Sequence, residues 1–311
     1  MSEIKTLVYF DLEATGLKNS GRPRITELSF VAVNTKDILE LHSKLMTHLQ
    51  ERKTDVESIL PRIMNKLTMC VYPMAIIRPE VSEITGLDNY NLSGQATFDR
   101  ETGELLNSFL ARLTPPLCLV AHNGNKYDFP LLKAELEKVG ITLPCNTLCA
   151  DSYVGIKEII NRKEEVIHSD NQMEIEIAEI SKTQNLSQIL DEEYRAIQKE
   201  NTSTPRKSVL EANNITRLND LEKIAQLQTT VRLKSKKKLE FFAKESSTSY
   251  SLRNLHKQLL GSLPAQSHGA EADCLALLRT TSVFGMEWVQ WVQENSYLIS
   301  KCTKMWSCTK Y

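Results

Sequence analysis

Tyr9–Leu17, YFDLEATGL, sets two carboxylates, Asp11 and Glu13, one residue apart at the end of an apolar run. Side chains two apart on a strand point to the same side, so both acids fall on one face. Side by side in a low-dielectric site they repel several-fold more than in water, and buried charges are normally paired or bound to metal. Two further segments carry similar residues. LVAHNGNKYDFPLL (119–132) places Asp128 at the entry of a helix, and SHGAEADCLALL (267–278) places His268 and Asp273 around the start of another. Each has an ordinary reading: Asp128 as a helix N-cap, His268 as a surface histidine. Taken together, four acids and one histidine suit metal-assisted chemistry. Magnesium prefers oxygen ligands, and an imidazole with an unperturbed pKa near 6.5 can take a proton from an attacking water. Five helical residues turn through about 500°. For His268 and Asp273 to address one centre, His268 must therefore stand on the loop before the helix, where Gly269 permits an irregular backbone.

The elements that must position these residues alternate. Lys5–Leu12 reads as a buried strand, nearly continuous in apolar residues, and Ile25–Asn34 as a second. A weaker third strand falls at Glu40–Leu45, and residues 46–66 form a loop or an added helix. SEITGL (82–87) reads as a helix closed by Gly86. Glu101–Leu113 has a helical apolar face, PLCLVAHN gives a strand, Phe129–Val139 a helix, and TLCADS a short strand ending at Asp151. After Tyr250 come a helix closed by Gly261, a second over Ala270–Val283 and an amphipathic one over Glu287–Val292. This alternation predicts an α/β fold with a central mixed, mostly parallel sheet flanked by helices.

Between residues 161 and 249 the chain is polar, rich in Glu, Lys, Asn, Gln, Ser and Thr. It reads as an insertion in a single domain spanning 1–311, partly disordered or loosely helical, with amphipathic helix about Ile175–Tyr194 and Leu218–Leu227. Its densest basic run holds Arg232, Lys234, Lys236, Lys237 and Lys238, followed by Phe241 and Phe242. Read plainly this is a solvated or nuclear-localisation-like stretch; read sharply it is a mobile arm that contacts phosphates. With 38 basic and 39 acidic residues the net charge is -1, so no global basic field attracts nucleic acid and a phosphate partner must meet a local patch. Seven cysteines without CxxC or zinc spacing suggest free thiols in a reducing compartment. The N-terminus runs straight into the first strand, leaving no room for a signal peptide. No apolar stretch is long enough to span a membrane. The expected location is cytoplasmic or nuclear.

The set D-x-E, then D, then H-x4-D resembles the DEDDh group of 3′-to-5′ exonucleases, in FDLEATG, HNGNKYDFPLL and HGAEADCLALL. With SEITGL and YSLRNL between them, these segments look like the three-prime repair (TREX) exonucleases over residues 4–160 and 248–295. A proline-rich loop and a long C-terminal tail carried by some members are missing, and the 161–249 insertion is longer than the family's connection. Asn125-Lys126 depart from an Asp-Arg pair common in close relatives. The resemblance implies a ribonuclease-H-like fold and release of nucleoside 5′-monophosphates from single-stranded or frayed DNA 3′ ends. It implies two Mg2+ ions, for which Mn2+ can substitute, and a homodimer joined through edge strands. By it, Asp11, Glu13 and Asp273 hold the first metal and Asp11 the second, with Asp128 acting directly or through water and His268 as general base. Glu13, Ala14, Leu17, Ile84, Tyr127 and His268 match positions around the terminal nucleotide. An exoribonuclease on the same fold, or a catalytically dead nucleic-acid-binding protein, are the alternatives; the intact acid set argues against the latter.

Overall fold

The computed structural model describes residues 2–17, 21–51, 55–165, 249–264 and 268–306. The chain divides into two units, Met1–Lys163 with Ser249–Tyr311, and Glu164–Thr248. Most of the second unit, with the expected insertion helices and the basic run, lies outside the described residues.

Six strands form one sheet in the order β3-β2-β1-β4-β5-β6. They are β1 (Thr6–Ala14), β2 (Ile25–Asn34), β3 (Asn65–Cys70), β4 (Leu117–Ala121), β5 (Leu148–Asp151) and β6 (Tyr297–Leu298). β2 is antiparallel to β1 and β3, and β6 to β5, while β4 is parallel to both β1 and β5. Thus β1, β3, β4 and β5 run one way and β2 and β6 the other, the mixed, mostly parallel sheet that the alternation predicts.

β1 sits mid-sheet because its residues are apolar on both faces. Val8, Phe10, Leu12 and Ala14 join one core, with Phe129, Leu131 and Leu132 of α4 (Asp128–Lys138) and Leu106 and Leu110 of α3 (Arg100–Ala111). Leu7 and Tyr9 join the other, with Ile38, Leu41 and Leu45 of α1 (Thr35–Gln50), Cys274, Leu277 and Leu278 of α7 (Ala270–Ser282) and Trp288 of α8 (Met286–Asn295). The period-2 alternation puts the odd-numbered face, hence Asp11 and Glu13, toward α7. Leu7, Val8, Tyr9 and Phe10 are wholly buried. Together they contribute roughly 6–12 kcal/mol, enough to hold two acids at the strand's end.

The expected strand at Glu40–Leu45 lies instead inside α1. Ile38, Leu41 and Leu45, spaced by three and four, are its buried face, so the helical period prevails. The third strand is Asn65–Cys70, a partly exposed edge whose alternation, Leu67-Thr68-Met69, is too short to announce it. Residues 152–165 are helical (α5). There a Cβ on Gly155 would lie 2.6 Å from the Trp291 ring, so glycine lets α5 press against α8. The remaining helices, α2 (Pro79–Thr85) and α6 (Leu252–Leu260), end at left-handed Gly86 and Gly261 as read.

Candidate active site

Two layers meet at the carboxyl end of β1. From the strand come Asp11 and Glu13; from α7 comes Asp273, in its first turn; from α4, on the opposite face, comes Asp128, its first residue. Open α/β sheets place their ligand sites outside the carboxyl ends of strands. Ligand atoms of Glu13, His268 and Asp273 all lie within 4.8 Å of one another, close enough to hold one metal ion.

The carboxylates carry the electrostatic cost of this proximity. Burial, then Asp128, Asp273, Glu13 and Glu27, hold the Asp11 carboxyl well above its ordinary value. Glu13 is pushed up to about 8 by burial, then by Asp273, Glu27 and Asp128. Asp128 is pushed up to about 7, mainly by burial and also by Asp151, although backbone N–H bonds at Asp128 and Leu12 oppose the rise. Asp273 is raised by burial too, against the favourable influence of His268. Without a counter-charge the protein retains protons here at neutral pH. A hard divalent cation suits such a donor set, four carboxylates with no cysteine among them.

Local structure explains each placement. Asp128 is not an N-cap: Tyr127 occupies that position without a side-chain cap, and Asp128 begins the helix as a buried residue. The turn before it requires glycine, since a Cβ on Gly124 would lie 2.6 Å from Ala121 Cβ and 2.9 Å from the Phe129 ring. His268 does stand on the loop before its helix, but the irregular backbone is its own. His268 has φ 69°, whereas Gly269 is an extended N-cap at φ -132°. A left-handed histidine is uncommon and slightly strained. The backbone N–H of His268 donates to Asp273 Oδ2 at 3.1 Å, which offsets that strain and orients the carboxylate.

The two layers are tied together next to the site. Arg24, in the connection from β1 to β2, makes a forked pair with buried Glu135 of α4, Nε to Oε1 at 2.5 Å and a terminal nitrogen to Oε2 at 3.0 Å. The Tyr127 hydroxyl donates to the carbonyl of Gly16, joining the Asp128 turn to the end of β1. Ala14 is buried, Leu17 is 71% exposed beyond the strand, and Ile84 is 56% exposed on α2. The exposure of Leu17 and Ile84 is not that of core packing. The bond from Tyr127 links it to the 14–17 turn; no such hydrogen-bonded link is present for Ile84 among the described residues.

Two acids escape the sequence reading. Glu27 pairs in register with Glu13 across β1 and β2 and accepts the Ala270 N–H at 2.9 Å, capping α7 from a neighbouring strand. Only the hairpin register reveals it, and the intervening ten-odd residues leave that register open. Asp151, buried at the end of β5, accepts from the backbone N–H groups of Asn125 and Tyr153 and raises Asp128. Its position at a strand end, like that of Asp11, was the available signal.

No family profile matches the chain. Among curated proteins it is similar to three prime repair exonuclease 2 of Mus musculus, 40% identical over 155 residues, 49% of this chain and 61% of that one. It is also similar to three-prime repair exonuclease 1 of Bos taurus, 39% identical over 159 residues, 50% of this chain and 48% of that one. The chain thus spans about half to three-fifths of the length of these relatives. Among solved structures, E. coli ExoI in complex with ssDNA overlaps 49% of this chain and 28% of its own, with TM-score 0.34 and 10% identity, too slight an overlap to bear on the site.

Proposed function

We propose that the chain hydrolyses phosphodiester bonds of DNA from the 3′ end, releasing nucleoside 5′-monophosphates, with Mg2+ held by Asp11, Glu13, Asp128 and Asp273. The observation that carries this reading is the convergence of Glu13, His268 and Asp273 within 4.8 Å, beside Asp11 and Asp128, whose carboxyls burial and neighbouring acids raise. The similarity to three-prime repair exonucleases supports the polarity and the substrate. When bound, such ions stabilise charge on the attacking and leaving oxygens of the phosphate. His268 accepts the proton of the attacking water at a ring nitrogen, and its backbone bond to Asp273 keeps the ring at the carboxylates. Leu17 and Ile84 offer exposed apolar surface to the terminal base, and Tyr127, with Ala14, shapes the turn beneath it. β3, an edge strand of the sheet among the described residues, is the surface through which a homodimer would join. No described helix is long and apolar enough to cross a membrane.

The test uses 5′-labelled single-stranded DNA and RNA of one sequence, with Mg2+ or with chelator. The expected result is a DNA ladder shortening from the 3′ end only with metal, abolished in Asp11→Asn and Asp273→Asn. Faster degradation of RNA would transfer the assignment to exoribonucleases. More than a few per cent of activity in either variant would overturn the site.

A further inference from the structure

Away from the acids, Cys149 on β5 and Cys302, just past the short 3-10 turn Ile299–Lys301, place their sulfurs 3.6 Å apart. Both are free thiols and both are buried, Cys302 retaining 9% exposure. We propose that this pair is a redox couple: a peroxide joins the two in an intramolecular disulfide that latches segment 297–302 onto β5, and a dithiol reductant releases it.

The surroundings divide the roles. Cys149 lies opposite Tyr297 in the β5–β6 register, and its thiol is 3.4 Å from the Tyr297 carbonyl. Cys302 Sγ is 3.4 Å from the Tyr297 hydroxyl, and the Lys133 ammonium donates to the Cys302 and Ser300 carbonyls. The hydrogen bond from Cys149, helped by Lys133, lowers the Cys302 thiol against the opposing effect of burial. Cys302, 9% exposed where Cys149 is fully buried, is the thiolate that attacks, and Cys149 the thiol that resolves. The Cys302 thiolate attacks a peroxide oxygen; the O–O bond breaks, hydroxide leaves and takes up a proton, and the sulfur becomes a sulfenic acid. Cys149 sulfur then attacks that sulfur; the S–S bond forms, the S–O bond breaks, and water carries off the thiol proton. In sum, two thiols and hydrogen peroxide give one disulfide and two waters. Bonding needs the sulfurs to close by about 1.5 Å from their 3.6 Å separation.

The couple sits beside the site without belonging to it. The Tyr297 hydroxyl donates to Asn125 Oδ1, and the Asn125 N–H donates to Asp151, so a hydrogen-bonded chain joins the latch to the turn that opens α4.

Reduced, desalted full-length protein is treated with hydrogen peroxide, and its intact mass, non-reducing peptide map and melting curve are recorded. The expected result is loss of two hydrogens mapped to Cys149–Cys302 and reversed by dithiothreitol, with a melting temperature roughly 5–10 °C higher when oxidised. Cys302→Ser removes both effects, and Cys145→Ser, at an exposed thiol, removes neither. If Cys302→Ser fails to fold, alkylation of denatured wild-type protein reads the same bond, since Cys149 and Cys302 escape labelling together after peroxide. Addition of oxygen to Cys302 without a cross-link, or linkage through Cys145 or between chains, would overturn the proposal.

Discussion

Replacing Asp128 by Asn probes the electrostatic argument without relying on turnover. In the metal-free protein this carboxyl, only 6% exposed, moves from its ordinary 3.8 to about 7. The folded chain therefore holds a proton that the unfolded chain has already released. Stability from this group is complete below about pH 4 and is lost as pH rises through about 7. Three pH units at about 1.4 kcal/mol each give about 4 kcal/mol, shared between Asp128 and Asp11 because the two titrate together. Asparagine cannot ionise, so Asp128→Asn should exceed wild type by about 1–2 kcal/mol at pH 5 and by about 3–4 kcal/mol at pH 8. That corresponds to a melting-temperature gap of roughly 6–16 °C. The assay is thermal denaturation in chelator from pH 5 to pH 8, repeated with excess Mg2+. The cation should stabilise wild type more than the variant and narrow the gap. A gap constant with pH, or one that shrinks toward pH 8, would refute the reasoning.

Other substitutions test separate parts of the site. His268→Ala should lose about 10²–10⁴-fold in single-turnover rate with DNA affinity retained; an unchanged rate at saturating Mg2+ would return His268 to a surface role. Glu27→Ala removes the acceptor of the Ala270 N–H and should slow turnover by about 10–100-fold, the equivalent of one charge-assisted hydrogen bond. Glu27→Gln, which keeps an acceptor, should recover most of that rate, and equal rates in the two variants would count against a positioning role. Arg24→Ala strands buried Glu135 and should cost about 3–5 kcal/mol in urea denaturation; a loss below 1 kcal/mol would mean that the pair does not hold β1 to α4.

Much of this was legible because the acids lie where local pattern is strongest. β1 and β2 announce themselves by continuous apolar runs, and α2 and α6 by Gly86 and Gly261, left-handed as their helix ends require. Asp11 and Glu13 share a face by strand geometry alone. The failures are equally physical. Glu40–Leu45 is too short a window to separate two periods, and only Ile38 outside it reveals the helix. β3 and β6 are edges, one partly exposed and the other two residues long, paired by neighbours rather than by their own composition. Glu27 and Asp151 depend on register and on distant contacts. At His268 a rule about glycine pointed to the right turn but the wrong residue.

The packing of α7 against β1 and β2 has a consequence for synthesis. Leu7, Tyr9, Val31 and Val33 find their cover in α1, α7 and α8, and the Tyr9 hydroxyl finds its partner in Thr281 at 2.8 Å. A ribosome delivers that partner 272 residues after Tyr9, with the whole of Glu164–Thr248 in between. Until then one face of the central strands is only partly covered and the acid cluster lacks Asp273. The nascent chain thus emerges with no assembled site and with an apolar surface awaiting its helix, a state that favours chaperone attendance over early activity. Arrest of translation before Ala270 would leave a chain that carries three of the four acids and cannot bring them to work.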